Sequence, residues 1–282
     1  MPELPEVEIT ARRLTQGAGG AEIESALAPG MVTMKTFDPP LDALAGLELK
    51  GVRRVGKMLA IEAGGLVVLV HLMSAGRLQL YDKRASLRDR SSRLLLRLDG
   101  ERELRLREFG TQHRAWAKLM PADRLADDEA VATLGPDALP PPPLGELAAI
   151  VDQPRHLHPL LRDQRTIAGI GRSWVDEILW TAKLSPFQRG ADLDDDGVER
   201  LHAAMGDVLG GALEHYEEVI GPVVPDKLPM PLKVHRRQGE DCPRCGTRLE
   251  AIHFKDYVMS YCPEEQTGGR VLKDRRLSKL LR

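Results

Sequence analysis

Only three cysteines occur in 282 residues. Two of them share one Cys242-x-x-Cys245 spacing, which does not make a disulfide framework. No run of about eighteen apolar residues exists, so no segment reads as a membrane-spanning helix. The first ten residues place Glu3 and Glu6 where a signal peptide would have its apolar stretch, so they do not read as a leader. Together these absences point to a reducing, cytoplasmic setting. The chain also lacks a charge excess: its formal net charge is −2, which taken alone argues against a nucleic-acid partner.

The distribution of charge reverses that argument. From Lys233 to Arg282 there are twelve Lys/Arg against seven Asp/Glu, a local excess of five positive charges on an otherwise acidic body. A basic C-terminal module suits phosphate binding, and a plain solvated tail is the competing reading.

The length suffices for two domains. Residues 4–16 read as a helix, with Pro5 and Glu6 suited to its first turn and Val7, Ala11 and Leu14 as its apolar face. From Glu48 to Met120 the pattern is that of strands. Leu66 to Val70 is a buried run after a Gly64-Gly65 turn. Leu94, Leu96 and Leu98 turn at Asp99-Gly100 and return through Leu104 and Leu106 as a hairpin. Its outward positions include Arg93, Arg97, Arg105 and Arg107, a basic sheet face or rim.

Residues 123–146, with four prolines at 140–143, read as a stiff linker. Helical periods follow: Leu147, Ile150 and Val151, then a capping-box signature Ser173-x-x-Asp176, then Leu201, Met205, Leu209 and Leu213. The expected class is α+β. A helix and two-layer β-sandwich (1–122) precede a linker (123–146), a helical domain (147–232) and a finger-like module with a basic tail (233–282).

Three features carry chemistry. Removal of Met1 would give Pro2 a free secondary amine, and an α-amine titrates near 7.7–8.0 against about 10.4 for lysine. Such an amine can attack a sugar C1′ and form an iminium. The turn Ile167-Ala-Gly-Ile-Gly171 opens a helix, where backbone N–H groups can hold phosphate; a tight helix–helix turn is the alternative. Cys242-Pro-Arg-Cys245, sixteen residues, and Cys262-Pro-Glu-Glu265 flank a short hairpin in the pattern of a zinc ribbon. Apart from these paired knuckles the chain shows no internal repeat.

The segment Pro2-Glu-Leu-Pro-Glu-Val-Glu8 resembles the formamidopyrimidine-DNA glycosylase/endonuclease VIII family. The resemblance continues in order along nearly the whole chain. Arg54-Val-Gly-Lys57 is similar to the catalytic-lysine hairpin. His71-Leu-Met-Ser-Ala-Gly76 and Glu108-Phe-Gly110 resemble the two DNA-inserting loops. Leu134-Gly-Pro136 resembles the interdomain stretch, Asp163 to Pro186 the helix–two-turns–helix motif, and the cysteine segment the zinc finger.

This resemblance implies a bifunctional enzyme of base excision repair. It would remove an oxidised base from double-stranded DNA through a Schiff base on Pro2, then nick the abasic strand by β-elimination, with or without the further δ-elimination. A monomer associated with the nucleoid is implied. Glu3 would protonate the sugar ring oxygen, which requires it to be buried or beside another carboxylate such as Glu6. Plain helix capping is the competing role for both. Lys57 would contact phosphate and assist base release and elimination. Met73, Arg107 and Phe109 would fill the gap left by the flipped nucleotide, although Met73 stands one place early in its loop and ordinary core is its alternative. Arg88 stands in an Arg-Asp-Arg where His-Asp-His is usual. Gly171 and Arg172 would bind phosphate, with Arg172 in place of the usual Asn.

Structural zinc is implied on Cys242, Cys245 and Cys262. Glu265 stands in the fourth cysteine's place, His253 is a substitute, and loss of the metal is the alternative. Tyr257 occupies the position of the finger arginine, and Arg270 is the candidate to replace its phosphate contact. A catalytically weak damage-binding protein and a zinc-ribbon module without enzymology are the competing functions.

Overall fold

The computed structural model describes residues 1–30, 32–110, 112–254 and 257–272. The basic tail at 273–282 lies outside the described residues. Two compact units emerge, Met1–Thr133 with Leu213–Pro229, and Leu134–Ala212 with Met230–Arg282. The first division falls inside the stretch read as a linker. That stretch carries short helical turns over Ala122–Asp127 and Glu129–Ala132 (α2).

The first unit opens with α1, Leu4–Ala18, which has Pro5 in its first turn. Eight strands follow: β1 Ile23–Leu27, β2 Leu49–Val55, β3 Met58–Ala63, β4 Leu66–His71, β5 Gly76–Tyr81, β6 Ser92–Leu98, β7 Glu103–Glu108 and β8 Trp116–Pro121. They form two antiparallel four-stranded sheets, ordered β1-β6-β7-β5 and β2-β3-β4-β8. The run at Leu66–Val70 is apolar at nearly every position because β4 is an inner strand of its sheet, and Val67 to Val70 are buried. The leucine hairpin pairs as expected, Leu94 with Leu106 and Leu96 with Leu104. One apolar cluster joins α1 to both sheets, from Val7, Ala11 and Leu14 through Ile61 and Val68 to Leu96 and Leu104.

Two expectations are corrected here. α1 is buried on more than its apolar face: Glu6, Thr10 and Arg13 are buried too. The segment Leu213–Pro229 covers that side, where Arg13 donates to the carbonyls of Ile220 and Glu217 and pairs with the Glu217 carboxylate. The outward arginines do not make a uniformly basic face. Fully buried Glu103 lies 2.7 Å from Arg105 and 3.7 Å from Arg97, so part of that charge is neutralised within the sheet.

The second unit contains α3 Leu144–Val151, α4 Leu157–Arg162, α5 Arg172–Thr181 and α6 Asp195–Val219, whose last turns belong to the first unit. The hairpin of β9 Glu250–His253 and β10 Val258–Tyr261 follows, then α7 Pro263–Thr267. Trp174, Val175, Ile178 and Leu179 of α5 are buried, as their spacing requires. The expected capping box does not form at Ser173. α5 begins two residues earlier than that box requires, at Arg172 with Gly171 at its N-cap. Asp176 instead accepts from the backbone N–H of Ser260 and lies within hydrogen-bond distance of His158 and His235 (3.1 and 2.6 Å). A buried carboxylate needs such partners more than a helix end needs a second cap.

Candidate active site

The beginning of the chain is held by α1 itself. Glu3 is its N-cap and exchanges a capping box with Glu6, whose Oε2 accepts the Glu3 backbone N–H at 2.9 Å. Both residues are 4% exposed, so the burial expected of Glu3 is present together with the capping role set against it. The Tyr216 hydroxyl donates to Glu6 Oε1 at 2.7 Å. Burial, followed by the Glu6 carboxylate, pushes that phenol far above its ordinary range.

The terminal amine, carried on Met1, is lowered below its ordinary 8.0. Burial is the main cause; Arg77 and Lys57 act in the same direction, while Glu3 and Glu6 oppose it. An amine so placed sheds its proton nearer neutrality.

Lys57 sits in a two-residue turn between β2 and β3, where Val55 pairs with Met58 and Gly56 has φ +57°. One ion pair and a backbone hydrogen bond tie this turn to α1. Glu8 accepts from Arg54 at 3.0 Å, and Arg54 donates on to the Gly56 carbonyl at 3.1 Å. The strand pairing Met58–His71 brings His71 alongside. Its Nδ1 accepts the Met73 backbone N–H at 2.9 Å, which leaves the proton of the neutral ring on Nε2. Burial, then Lys57, lowers its pKa to about 4.

Met73 lies in the turn between β4 and β5, partly exposed with φ +51°, and is not core. Phe109, 37% exposed, follows β7, and the Arg107 guanidinium lies 4.6 Å from its ring centroid. Arg107 also donates to the Tyr81 hydroxyl at 2.8 Å. Arg88 is exposed in the connection before β6. The first unit therefore brings Glu3, Glu6, Lys57 and Arg77 into electrostatic reach of the Met1 amine, next to Pro2. Sequence reading missed His71, Arg77 and Tyr216 as members. Tyr216 carries no local signal, since 210 residues separate it from Glu6.

In the second unit Arg172 occupies the first turn of α5, and its guanidinium lies 5.2 Å from the Tyr257 ring centroid. Arg162 approaches the same ring at 4.3 Å, and Phe254 stacks on it at 4.4 Å. Tyr257 thus does not leave its position without charge: two guanidinium groups adjoin it. Arg270 is exposed just beyond α7, donating to the Thr267 carbonyl at 3.3 Å.

The thiols of Cys242, Cys245 and Cys262 converge, with all three sulfurs within 4.8 Å of one another. Burial resists ionisation of Cys242, but N–H groups of Arg244, Cys245 and the Trp180 indole prevail and draw it down to about 7. Burial and the neighbouring thiols push Cys262 up to about 12. Three soft donors at this spacing fit three corners of a tetrahedral zinc site. Glu265 is not among the converging donors: its Oε2 lies 2.6 Å from Arg244 Nη2, a partner within the first knuckle. His253 is likewise outside the cluster among the described residues.

Comparison with known proteins converges on one family. The profile of the formamidopyrimidine-DNA glycosylase N-terminal domain matches residues 1–112, and that of the formamidopyrimidine-DNA glycosylase H2TH domain matches residues 134–221. A formamidopyrimidine-DNA glycosylase of a Roseiflexus species is 33% identical over 94% of this chain and 100% of its own. One from Herpetosiphon aurantiacus is 32% identical over 93% and 98%. The crystal structure of wild-type Lactococcus lactis Fpg with DNA containing N7-benzyl-Fapy-dG superimposes with a TM-score of 0.83 at 25% identity, covering 94% of this chain and 100% of the other. With two profiles of one family matched along most of its length and full-length relatives above 30% identity, the chain belongs to the formamidopyrimidine-DNA glycosylase family.

Proposed function

We propose that this protein is a bifunctional DNA glycosylase and abasic-site lyase, acting on oxidised bases in double-stranded DNA. The observation that carries the reading is the chain terminus held beside buried Glu3 and Glu6, with Lys57 and Arg77 near enough to act on the Met1 amine. With Met1 removed, the terminal amine is the Pro2 nitrogen, adjacent to Glu3. The amine's unprotonated form attacks C1′ of a flipped nucleotide, the base departs taking up the proton that the nitrogen sheds, and Glu3 delivers a proton to the ring oxygen as the nitrogen lone pair opens the sugar to the iminium. The resulting iminium acidifies the C2′ proton, whose loss expels the 3′-phosphate in a β-elimination. Lys57, held at its turn by Arg54 and Glu8, places an ammonium where phosphate charge must be met.

Phe109, Arg107 and Met73 form the protein side of base extrusion, while Arg88, Arg172, Gly171 and Arg270 are the phosphate contacts. Zinc, held by Cys242, Cys245 and Cys262, would staple the finger without entering the chemistry. β-Elimination is the proposed end point, because Tyr257 stands where relatives place an arginine that assists the later step.

Borohydride trapping on abasic duplex DNA tests the reading. The wild-type protein should give a covalent adduct, and Pro2→Gly should lower its yield at least about tenfold. An unchanged yield, or active protein whose mass retains Met1, would overturn the proline mechanism. A protein that only shifts the duplex in a salt-sensitive way would be the damage-binding alternative.

A further inference from the structure

Glu108 ends β7, and its side chain is 1% exposed. Its Oε1 accepts two backbone N–H groups, from Arg114 at 2.6 Å and Ala115 at 2.8 Å. Its Oε2 faces Arg93 Nε at 4.0 Å and His113 Nδ1 at 3.6 Å. The chain leaves one four-stranded sheet at Glu108 and enters the other at Trp116, so a single carboxylate ties Arg114 and Ala115, just ahead of β8, to the end of β7.

That connection displays Phe109. The Phe109 N–H donates to the Ala75 carbonyl at 3.3 Å, and Glu108 is the register partner of Gly76. The Met73 turn is thereby set against the same point. It closes through the Gly76 N–H and the Leu72 carbonyl, so tightly that a Cβ on Gly76 would stand 2.4 Å from Leu72 O.

Burying a carboxylate is expensive unless hydrogen bonds compensate. Here the compensation comes from N–H groups on the far side of a loop, so the group that needs them also closes the loop. A ring that enters a base stack must offset the cost of unstacking. A loop that also had to order itself on entry would add the conformational entropy of each residue fixed.

We infer that Glu108 is a positioning residue: by binding the Arg114 and Ala115 N–H groups at the end of β7 it holds the adjoining, exposed Phe109 ring ready for insertion into the duplex. The inference rests on the DNA reading above and adds a residue that acts through Phe109 rather than on the reacting atoms.

The test compares single-turnover excision of a paired lesion with nicking of a preformed abasic site. The probes are duplexes each carrying 8-oxoguanine, formamidopyrimidine-guanine, dihydrothymine or an abasic site. Glu108→Gln, which keeps an acceptor oxygen, should slow excision about tenfold, with abasic nicking and KM changed less than about twofold. Glu108→Asp, which retracts the carboxylate by one methylene, provides a second variant of the same kind. The double variant Glu108→Gln/Phe109→Ala should excise no more slowly than Phe109→Ala alone, since both lesions act through one ring. Equal falls in excision and nicking, or additive effects in the double variant, would overturn the inference while leaving the enzyme reading intact. A wild-type protein that neither excises from any duplex nor traps would overturn both.

Discussion

His71 lends itself to a quantitative test of the electrostatics beside the amine. Burial and the nearby Lys57 ammonium lower its pKa from an ordinary 6.5 to about 4. The gap of about 2.5 units, at about 1.36 kcal/mol per unit, corresponds to about 3 kcal/mol. The sign follows from which state binds the proton first. The unfolded chain takes it up near pH 6.5 and the folded chain only near 4, so this contribution to stability is full above 6.5. It is lost as the pH falls toward 4 and constant below that. The ring signals of His71, assigned by their absence in His71→Asn, should titrate near 4 in NMR spectra. In urea unfolding, wild-type protein should lose about 3 kcal/mol more than His71→Asn between about pH 7 and pH 4. Lys57→Met should raise the midpoint but leave it below 6.5, because burial is the larger cause. A His71 midpoint at or above 6.5, or a stability difference independent of pH, would refute the argument. Nε2–H would then not be a neutral donor beside Lys57 at the pH of catalysis.

Two further outcomes follow from single contacts. Tyr216→Phe removes the hydroxyl that donates to buried Glu6 at 2.7 Å and should cost about 2 kcal/mol in urea unfolding; a cost under about 0.5 kcal/mol would show that the bond contributes little. Zinc content should be about one equivalent in wild-type protein and in Glu265→Gln, whose carboxylate already serves Arg244, but should be lost in Cys262→Ser. Zinc lost from Glu265→Gln as from Cys262→Ser would restore Glu265 as a ligand.

Much of this protein was legible from local pattern. The β6–β7 leucine hairpin and the buried run of β4 appear where alternation and glycine put them, because period and turn chemistry are properties of a few adjacent residues. The likeness to one family was also present in short ordered motifs. Contacts between distant segments were not legible. Asp176 looked like a cap and became the partner of His158, His235 and Ser260. Glu265 looked like a metal ligand and became the partner of Arg244. Spacing names which residue types stand near a helix end or a cysteine, and so the sequence by itself determined the elements, their order and the candidate chemistry. The tertiary structure decided which buried carboxylate meets which donor and how far an amine or an imidazole is taken from water. Those outcomes depend on charges and solvent exclusion contributed by residues tens to hundreds of positions away.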